Sequence, residues 1–187
     1  MIESYCFSHK GGREIYCDNV YLAYGDFTVA SIIYGKDDYD YSSELSSKIA
    51  KVFNSDLKGM NFDDISYRIS KSVKRNDEYL LLRITDSEVE CEFHGGVEAY
   101  IISDGMLRRL TNGVMAIGNE DRIICATKVF FSKVNSEAIL ADGLTSESAQ
   151  EWMDYIVRRI SDKDMLTKQN LTALTFIVRD TENVIIA

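Results

Sequence analysis

A short segment near the start of the chain, Arg13-Glu14-Ile15-Tyr16-Cys17-Asp18, carries the residue types best suited to chemistry. A nearby cation lowers the pKa of a thiol, so Cys17 beside Arg13 is a candidate nucleophile. No active-site signature surrounds Cys17, however, and a buried structural thiol is the preferred interpretation. Arg13 and Asp18 could equally form a structural ion pair.

The candidate metal ligands are few and scattered. Asp37, Asp38 and Asp40 lie in an acidic loop and could bind Ca²⁺ or Mg²⁺ through oxygen. The loop precedes a predicted helix, whose dipole favours acidic residues at its N-terminus, and this explains them more simply. His9 and His94 are far apart and lack metal-site spacing. The four cysteines lie in apolar runs without C-x-x-C spacing, which predicts buried, reduced thiols: Cys6, Cys17, Cys91 and Cys125.

Length and charge limit the class of protein. The chain has 187 residues, of which 45% are hydrophobic, and this predicts a single domain spanning 1–187. A net charge of −9 argues against binding nucleic acid or an anionic lipid surface. No apolar run approaches the ~18 residues that a membrane span needs. We therefore expect a cytoplasmic protein.

Predicted strands dominate the chain. Asp104-Gly105 separates two apolar runs and predicts a β-hairpin from Gly95 to Thr111. The continuous apolar run from Phe27 to Tyr34 predicts a strand buried on both faces. Further strands are predicted at Ile2–Phe7, Ile15–Ala23, Tyr79–Thr85, Glu88–His94, Arg122–Phe131 (with a bend near Thr127), Leu171–Arg179 and Val184–Ile186.

Three helices interrupt the strands. Ser42 or Ser43 is expected to cap the first, and Asn61 the second, which would carry Lys71, Lys74 and Arg75 in its last turns. The third begins near Ser146 or Ser148, after a predicted loop at Asp142-Gly143. Because strands and helices are grouped rather than alternating, the order predicts an α+β fold with antiparallel sheets covered by helices.

Five segments, taken in order, resemble the motifs of the PPM-type (type 2C) metal-dependent serine/threonine protein phosphatases. The first is Arg13 to Asp18, where the family has an Arg, three residues and Glu-Asp. The second is Ser31-Ile32, aligned with a strand ending in Asp-Gly. The other three are Gly95 to Tyr100 with its Leu110-Thr111 ending, Thr127-Lys128 on the family's Asp-Gly, and Gln169-Asn170-Leu171-Thr172 on its Asp-Asn-apolar-Thr. The resemblance implies a four-layer αββα sandwich of two antiparallel sheets flanked by helices.

The resemblance also shows what is missing. Of the family's five acidic positions in the first, second, fourth and fifth motifs, the chain keeps only Asp18, and the replacements are Cys17, Ser31, Thr127 and Gln169. Ile32 replaces the family Gly, and Lys128 is expected to add a positive charge near the former metal site. Two hard divalent cations need several anionic oxygens. These positions are therefore vestigial, no cofactor is expected, and the segment after Thr111 is too short for the family's substrate flap.

Two functions follow from the resemblance. The preferred one is a catalytically degenerate, shortened PPM-type domain, a pseudophosphatase that binds a protein partner such as a kinase or a phosphoprotein in bacterial-type signalling. Arg13, at the family's phosphate-binding position, is its candidate binding residue. The alternative is an active phosphatase that uses Mn²⁺ or Mg²⁺ held by Asp18 and by carboxylates from Asp37 to Asp40.

Overall fold

Two antiparallel sheets face each other and carry helices on their outer sides in the computed structural model of the chain. The structure describes residues 1–36, 38–54, 61–71, 73–74, 77–160, 162–165 and 167–179. The elements are β1 (Ile2–His9), β2 (Asn19–Ala23), β3 (Thr28–Ile33), α1 (Tyr39–Asn54), α2 (Phe62–Ser70), β4 (Tyr79–Ile84), β5 (Glu88–His94), β6 (Val97–Ser103), β7 (Met106–Arg109), β8 (Gly113–Ala116), β9 (Arg122–Thr127), α3 (Lys128–Phe131), α4 (Ser136–Thr145), α5 (Ala149–Arg159), α6 (Asp162–Met165) and β10 (Leu171–Val178).

The strand order explains how distant segments meet. One sheet has the order β1-β10-β9-β6-β7 and the other β2-β3-β4-β5-β8. The apolar faces of the two sheets pack on each other to form the central core. Helices α3, α4 and α5 cover the first sheet, and α1 and α2 cover the second. The predicted α+β sandwich with helices on both outer faces is therefore confirmed.

Strand β3 is buried on both faces, as its apolar run predicts. Ala30 and Ile32 point into the core between the sheets, whereas Val29 and Ile33 pack against α1 and α2. The alternation follows from the two-residue period of a strand.

The predicted hairpin is also present. Strands β6 and β7 pair in antiparallel fashion, with Ser103 opposite Met106. Asp104 and Gly105 both have positive φ, at 52° and 70°, as a type I′ turn requires.

Two predicted element starts are wrong because backbone amides there donate to side chains instead of to other backbone groups. The strand predicted from Ile15 begins only at Asn19, since the amides of Cys17 and Asp18 donate to the side chain of Asn170. The first helix begins at Tyr39, before the expected Ser42 cap. The Asp38 carboxylate accepts from the Tyr41 amide at 2.9 Å, so Asp38 is the N-cap.

Other predicted boundaries in the second half also change. The strand predicted to run to Phe131 ends at Thr127, and the short helix α3 follows. Asp142-Gly143 lies inside α4 rather than in a loop, and the short edge strand β8 was not predicted. The third helix starts after its predicted Ser148 cap, and Asn61 caps α2 as expected.

Three smaller predictions concern the end of α2, the state of the cysteines and the absence of a membrane span. Helix α2 ends at Ser70, so Lys71 is its C-cap and Lys74 lies beyond it, while Arg75 and Val184–Ile186 lie outside the described residues. All four cysteines are free thiols, but Cys6 is exposed on β1 rather than buried. None of the described helices has the length and apolarity needed to cross a lipid bilayer.

Candidate functional site

One end of the sandwich brings together the loop before β2, the end of β3, the end of β9 and the start of β10. Asn170, at the start of β10, holds the loop in place. Its Oδ1 accepts from the amides of Cys17 at 2.7 Å and Asp18 at 3.2 Å, and its Nδ2 donates to the carbonyl of Lys10 at 3.0 Å. A buried side-chain amide with this geometry fixes the path of the whole segment.

Asp18 is the buried carboxylate of this end, with only 1% of its surface exposed. Its Oδ1 accepts from the Gly35 amide at 3.0 Å, and its Oδ2 accepts from the Thr172 hydroxyl at 2.5 Å. Gly35 follows β3 in one sheet and Thr172 lies on β10 in the other, so Asp18 joins the two sheets. Burial raises the pKa of Asp18, against the opposing effects of these hydrogen bonds and of the Arg13 charge.

Tyr34 and Gly35 are the residues that the end of β3 places beside Asp18. A Cβ on Gly35 would come within 1.7 Å of the Cys17 carbonyl oxygen, so no other residue fits there without movement of the backbone. The Tyr34 side chain is almost fully buried in the core between the sheets. Its ring lies over Gly96, where a Cβ would come within 3.1 Å of Tyr34 Cδ1.

Ser31 and Ile32 are not part of this group. Ser31 lies in the middle of β3, paired with Tyr21 and Leu81, on the side of the sheet that faces α1 and α2. Ile32 points into the core between the sheets. Neither residue reaches the strand end where Asp18 lies.

Hydroxyl groups surround the retained carboxylate. The register that pairs Ala126 with Ala173 places Thr127 beside Thr172 on neighbouring strands. Thr127 is fully buried, and its Oγ1 has no hydrogen-bond partner among the described residues. The Tyr16 hydroxyl lies 2.8 Å from Thr172 Oγ1 and 3.2 Å from Ser8 Oγ, and burial raises the pKa of Tyr16 to about 12.

Arg13 joins three loops at the mouth of this end. Its Nε donates to the carbonyl of Lys168 at 2.5 Å, and its Nη1 donates to the carbonyl of Lys36. Arg13 also lines an open cleft of about 600 Å³, whose other walls are Gly12, Glu14, Ile15, Cys17 and Lys168. Two of its donor nitrogens therefore already serve backbone carbonyls.

Three other predicted residues lie near this end with separate partners. Cys17 is buried, and its Sγ lies 3.8 Å from the carbonyl of Ile15. Gln169 lies in the bend before β10, where its carbonyl accepts from Thr167 Oγ1 at 2.6 Å. Lys128 begins α3, and its Nζ lies 4.0 Å from Glu98 Oε1, so its charge faces a carboxylate of β6.

The remaining candidate ligands do not gather here. Asp38 caps α1, Asp40 is exposed in its first turn, and Asp37 lies outside the described residues. His9 Nδ1 accepts from the Gly11 amide, whereas His94 lies 3.4 Å from Glu92. In the part of the chain that the structure describes, no three His, Cys, Asp or Glu side chains come together as a metal site would need.

The donor set around Asp18 does not fit a pair of hard divalent cations. Such cations take six or more oxygen ligands, several of them anionic. Among the described residues, Asp18 is the fully buried carboxylate of this end, and both of its oxygens already accept hydrogen bonds. A second carboxylate, Glu78, lies against Gly96 and the Tyr34 ring, but it pairs with Lys36 at 2.8 Å. The other groups beside Asp18 are neutral hydroxyls.

Comparison with solved structures identifies the fold. The chain resembles the serine/threonine phosphatase PstP/Ppp of Mycobacterium tuberculosis with a TM-score of 0.73 at 12% identity, covering 96% of this chain and 99% of that one. It resembles RsbX in complex with magnesium with a TM-score of 0.73 at 15% identity, covering 94% of each chain. It resembles the PPM Ser-Thr phosphatase MsPP of Mycobacterium smegmatis in complex with cacodylate with a TM-score of 0.65 at 14% identity, covering 95% of this chain and 98% of that one.

These likenesses show that the chain has the PPM-type phosphatase fold. No protein-family model matches the sequence, and no curated protein is significantly similar to it.

Sequence reasoning missed Tyr34, Gly35 and Tyr16. A signal for the first two exists, because a Gly directly follows the apolar run of β3, and a short hairpin between β2 and β3 brings the end of that run beside Asp18. Tyr16 carries no such signal, since its hydroxyl meets Thr172 from a position remote in sequence.

Replacing Gly35 tests the close contact beside Asp18. We expect Gly35→Ala to lower the free energy of unfolding by roughly 3 kcal/mol, the upper part of the usual range for overpacking, because the new Cβ meets a backbone carbonyl. Gly118→Ala is the control, since a Cβ there has no neighbour within 4 Å. Urea unfolding measures both, and equal stabilities for the two variants would contradict the packing described.

A second pair of variants tests the hydroxyl cluster. Thr172→Val removes the donor to Asp18 and should lower the free energy of unfolding by about 1–3 kcal/mol. Thr127→Val removes a buried hydroxyl without a partner among the described residues and should leave stability unchanged or raise it by up to about 1 kcal/mol. Thermal unfolding of both variants measures the difference, and Thr172→Val should melt at the lower temperature. A lower melting temperature for Thr127→Val would contradict this and show that Thr127 makes the more important bond.

Proposed function

We propose that this chain is a catalytically degenerate PPM-type domain, a pseudophosphatase that acts as a protein-binding or regulatory module. The observation that carries the proposal is the environment of Asp18. This carboxylate is buried and bonded to the Gly35 amide and the Thr172 hydroxyl, and the nearby Glu78 carboxylate pairs with Lys36.

The chemistry of metal-assisted hydrolysis makes this environment decisive. Divalent cations activate water by lowering its pKa, and they require anionic ligands that keep them in place. A carboxylate whose oxygens both accept from the protein, and whose pKa is raised by burial, is poorly suited to that task. The same contacts suit a residue that stabilises the fold.

The positions of the vestigial site follow from the strand register. Because Asn19 pairs with Ile33, Asp18 lies beside Tyr34 at the open end of that hairpin. We therefore assign the family's Asp-Gly position to Tyr34-Gly35 rather than to Ser31-Ile32. On this assignment the Gly is retained and a tyrosine replaces the metal-binding Asp, while Cys17, Thr127 and Gln169 keep the vestigial roles that the sequence suggests.

A domain that has this fold but no catalytic metal site would act by binding another protein. Structural neighbours include PppA, described as a key regulatory component of T6SS in Pseudomonas aeruginosa, and the phosphatase domain of SpoIIE, a cell fate determinant of Bacillus subtilis. By analogy we propose a cytoplasmic signalling role with a kinase or a phosphoprotein as partner. We do not propose the active alternative, because Asp38 caps α1 and Asp40 lies exposed beside it.

Calorimetric titration with Mn²⁺ and Mg²⁺ tests the proposal. We expect no binding heat at micromolar to millimolar metal, and hydrolysis of an aryl phosphate at the rate of the buffer alone, unchanged in Asp18→Asn. Two-site binding of Mn²⁺, together with hydrolysis that Asp18→Asn abolishes, would overturn the proposal and restore the active alternative.

A further inference from the structure

We propose that the cleft lined by Gly12, Arg13, Glu14, Ile15, Cys17 and Lys168, called here the docking cleft, binds an acidic, unphosphorylated peptide segment that carries an aliphatic side chain. The inference rests on the proposed function, because it names the surface and the chemistry of the partner that a binding module would use. The cleft has a volume of about 600 Å³.

The walls of the docking cleft are fixed before any partner arrives. The Gly12 amide donates to the carbonyl of Thr167 at 2.6 Å, and the Arg13 Nε donates to the carbonyl of Lys168. Gly11 has a φ of 67°, and a Cβ there would come within 2.4 Å of the Gln169 carbonyl oxygen, so the two loops touch along their backbones. A site already in its bound shape loses little conformational entropy on binding.

An apolar side chain stands exposed on this fixed loop. Ile15 is 61% exposed, although the loop that carries it is tied down on both sides. Single exposed apolar residues are ordinary, but an exposed Ile on the wall of a preformed cleft is placed to contact an aliphatic side chain of a partner.

The charge of the cleft rim favours a carboxylate-rich partner. The chain carries a net charge of −9, yet Arg13 and Lys168 line the cleft, opposed by Glu14, and the backbone of Lys10 is held nearby by Asn170. Lys10 and Lys168 are exposed, and neither pairs with a carboxylate within the described ranges. An acidic segment should therefore contact the cleft through Lys168.

The hydrogen bonds of Arg13 favour an unphosphorylated partner over a phosphorylated one. Phosphate recognition by arginine depends on a planar fork of N–H donors. In this structure Nε and Nη1 of Arg13 donate to two carbonyls. The lysines remain as point charges, which suit the dispersed carboxylates of an acidic segment.

Fluorescence anisotropy tests the proposal with a defined probe, a fluorescein-labelled peptide in which single Leu residues are separated by pairs of Glu residues. The full chain should bind this peptide, and should not bind the same peptide with Lys in place of Glu. Ile15→Ser and Lys168→Glu should each weaken binding by roughly tenfold, as expected for the loss of one buried aliphatic contact or one favourable charge. Binding should also weaken as salt is raised.

A matched pair of control variants lies on α2. Tyr67 is 62% exposed and Lys71 Nζ lies 4.2 Å from its ring centroid, so Tyr67→Ser and Lys71→Glu make the same kinds of change on a distant surface. Both controls should leave the peptide affinity unchanged.

Three results would overturn the docking cleft as proposed. They are the absence of binding to the acidic peptide, an affinity that the Ile15 and Lys168 variants do not change, and binding that appears only when a phosphoserine is added to the probe. The Mn²⁺ titration decides separately whether the site is degenerate, so the two proposals fail independently.

Discussion

The buried carboxylate of Asp18 joins the two sheets at one end of the sandwich. Asp18 accepts from Gly35 beside one sheet and from Thr172 in the other. Asn170 anchors the same segment through the amides of Cys17 and Asp18. An unpaired polar group buried here would destabilise the protein by about 1–3 kcal/mol, so these bonds constrain every residue nearby.

The residues at this end of the sandwich depend on one another for their packing. Gly96 leaves room for the Glu78 carboxylate and the Tyr34 ring, which a Cβ there would approach within 2.3 Å and 3.1 Å, and Gly35 leaves room for the Cys17 carbonyl. Thr172 serves both Asp18 and Tyr16 through one hydroxyl. Such mutual fit indicates that this end of the sandwich is packed as a core. The outer rim, by contrast, keeps an open cleft with an exposed Ile15.

The sequence predicts much of the fold, because long apolar runs, the Asp104-Gly105 turn and the caps at Asn61 and Ser148 are local signals. It does not predict α4, because Asp142-Gly143 is a typical turn sequence. In the structure Arg159 donates to Asp142, and Gly143 packs against Trp152, and these contacts come from residues distant in sequence. The end of β3 is predicted to within one residue, because the apolar run stops at Gly35. A continuous apolar run does not show which of its residues lies beside Asp18. The observed pairing of Asn19 with Ile33 places Tyr34 there, three residues after Ser31.

The stability of Asp18→Asn across pH tests the central claim most directly. Burial raises the pKa of Asp18 in the folded protein above its value in the unfolded chain. The free energy of unfolding therefore falls as pH rises through the pKa of the folded state, because the carboxylate must then ionise while buried. An amide can still accept from Gly35 and can donate to Thr172. The account predicts that Asp18→Asn is at least as stable as the wild type at neutral pH, with the difference shrinking in acid. A less stable Asp18→Asn at neutral pH, together with Mn²⁺ stabilisation of the wild type alone, would contradict it.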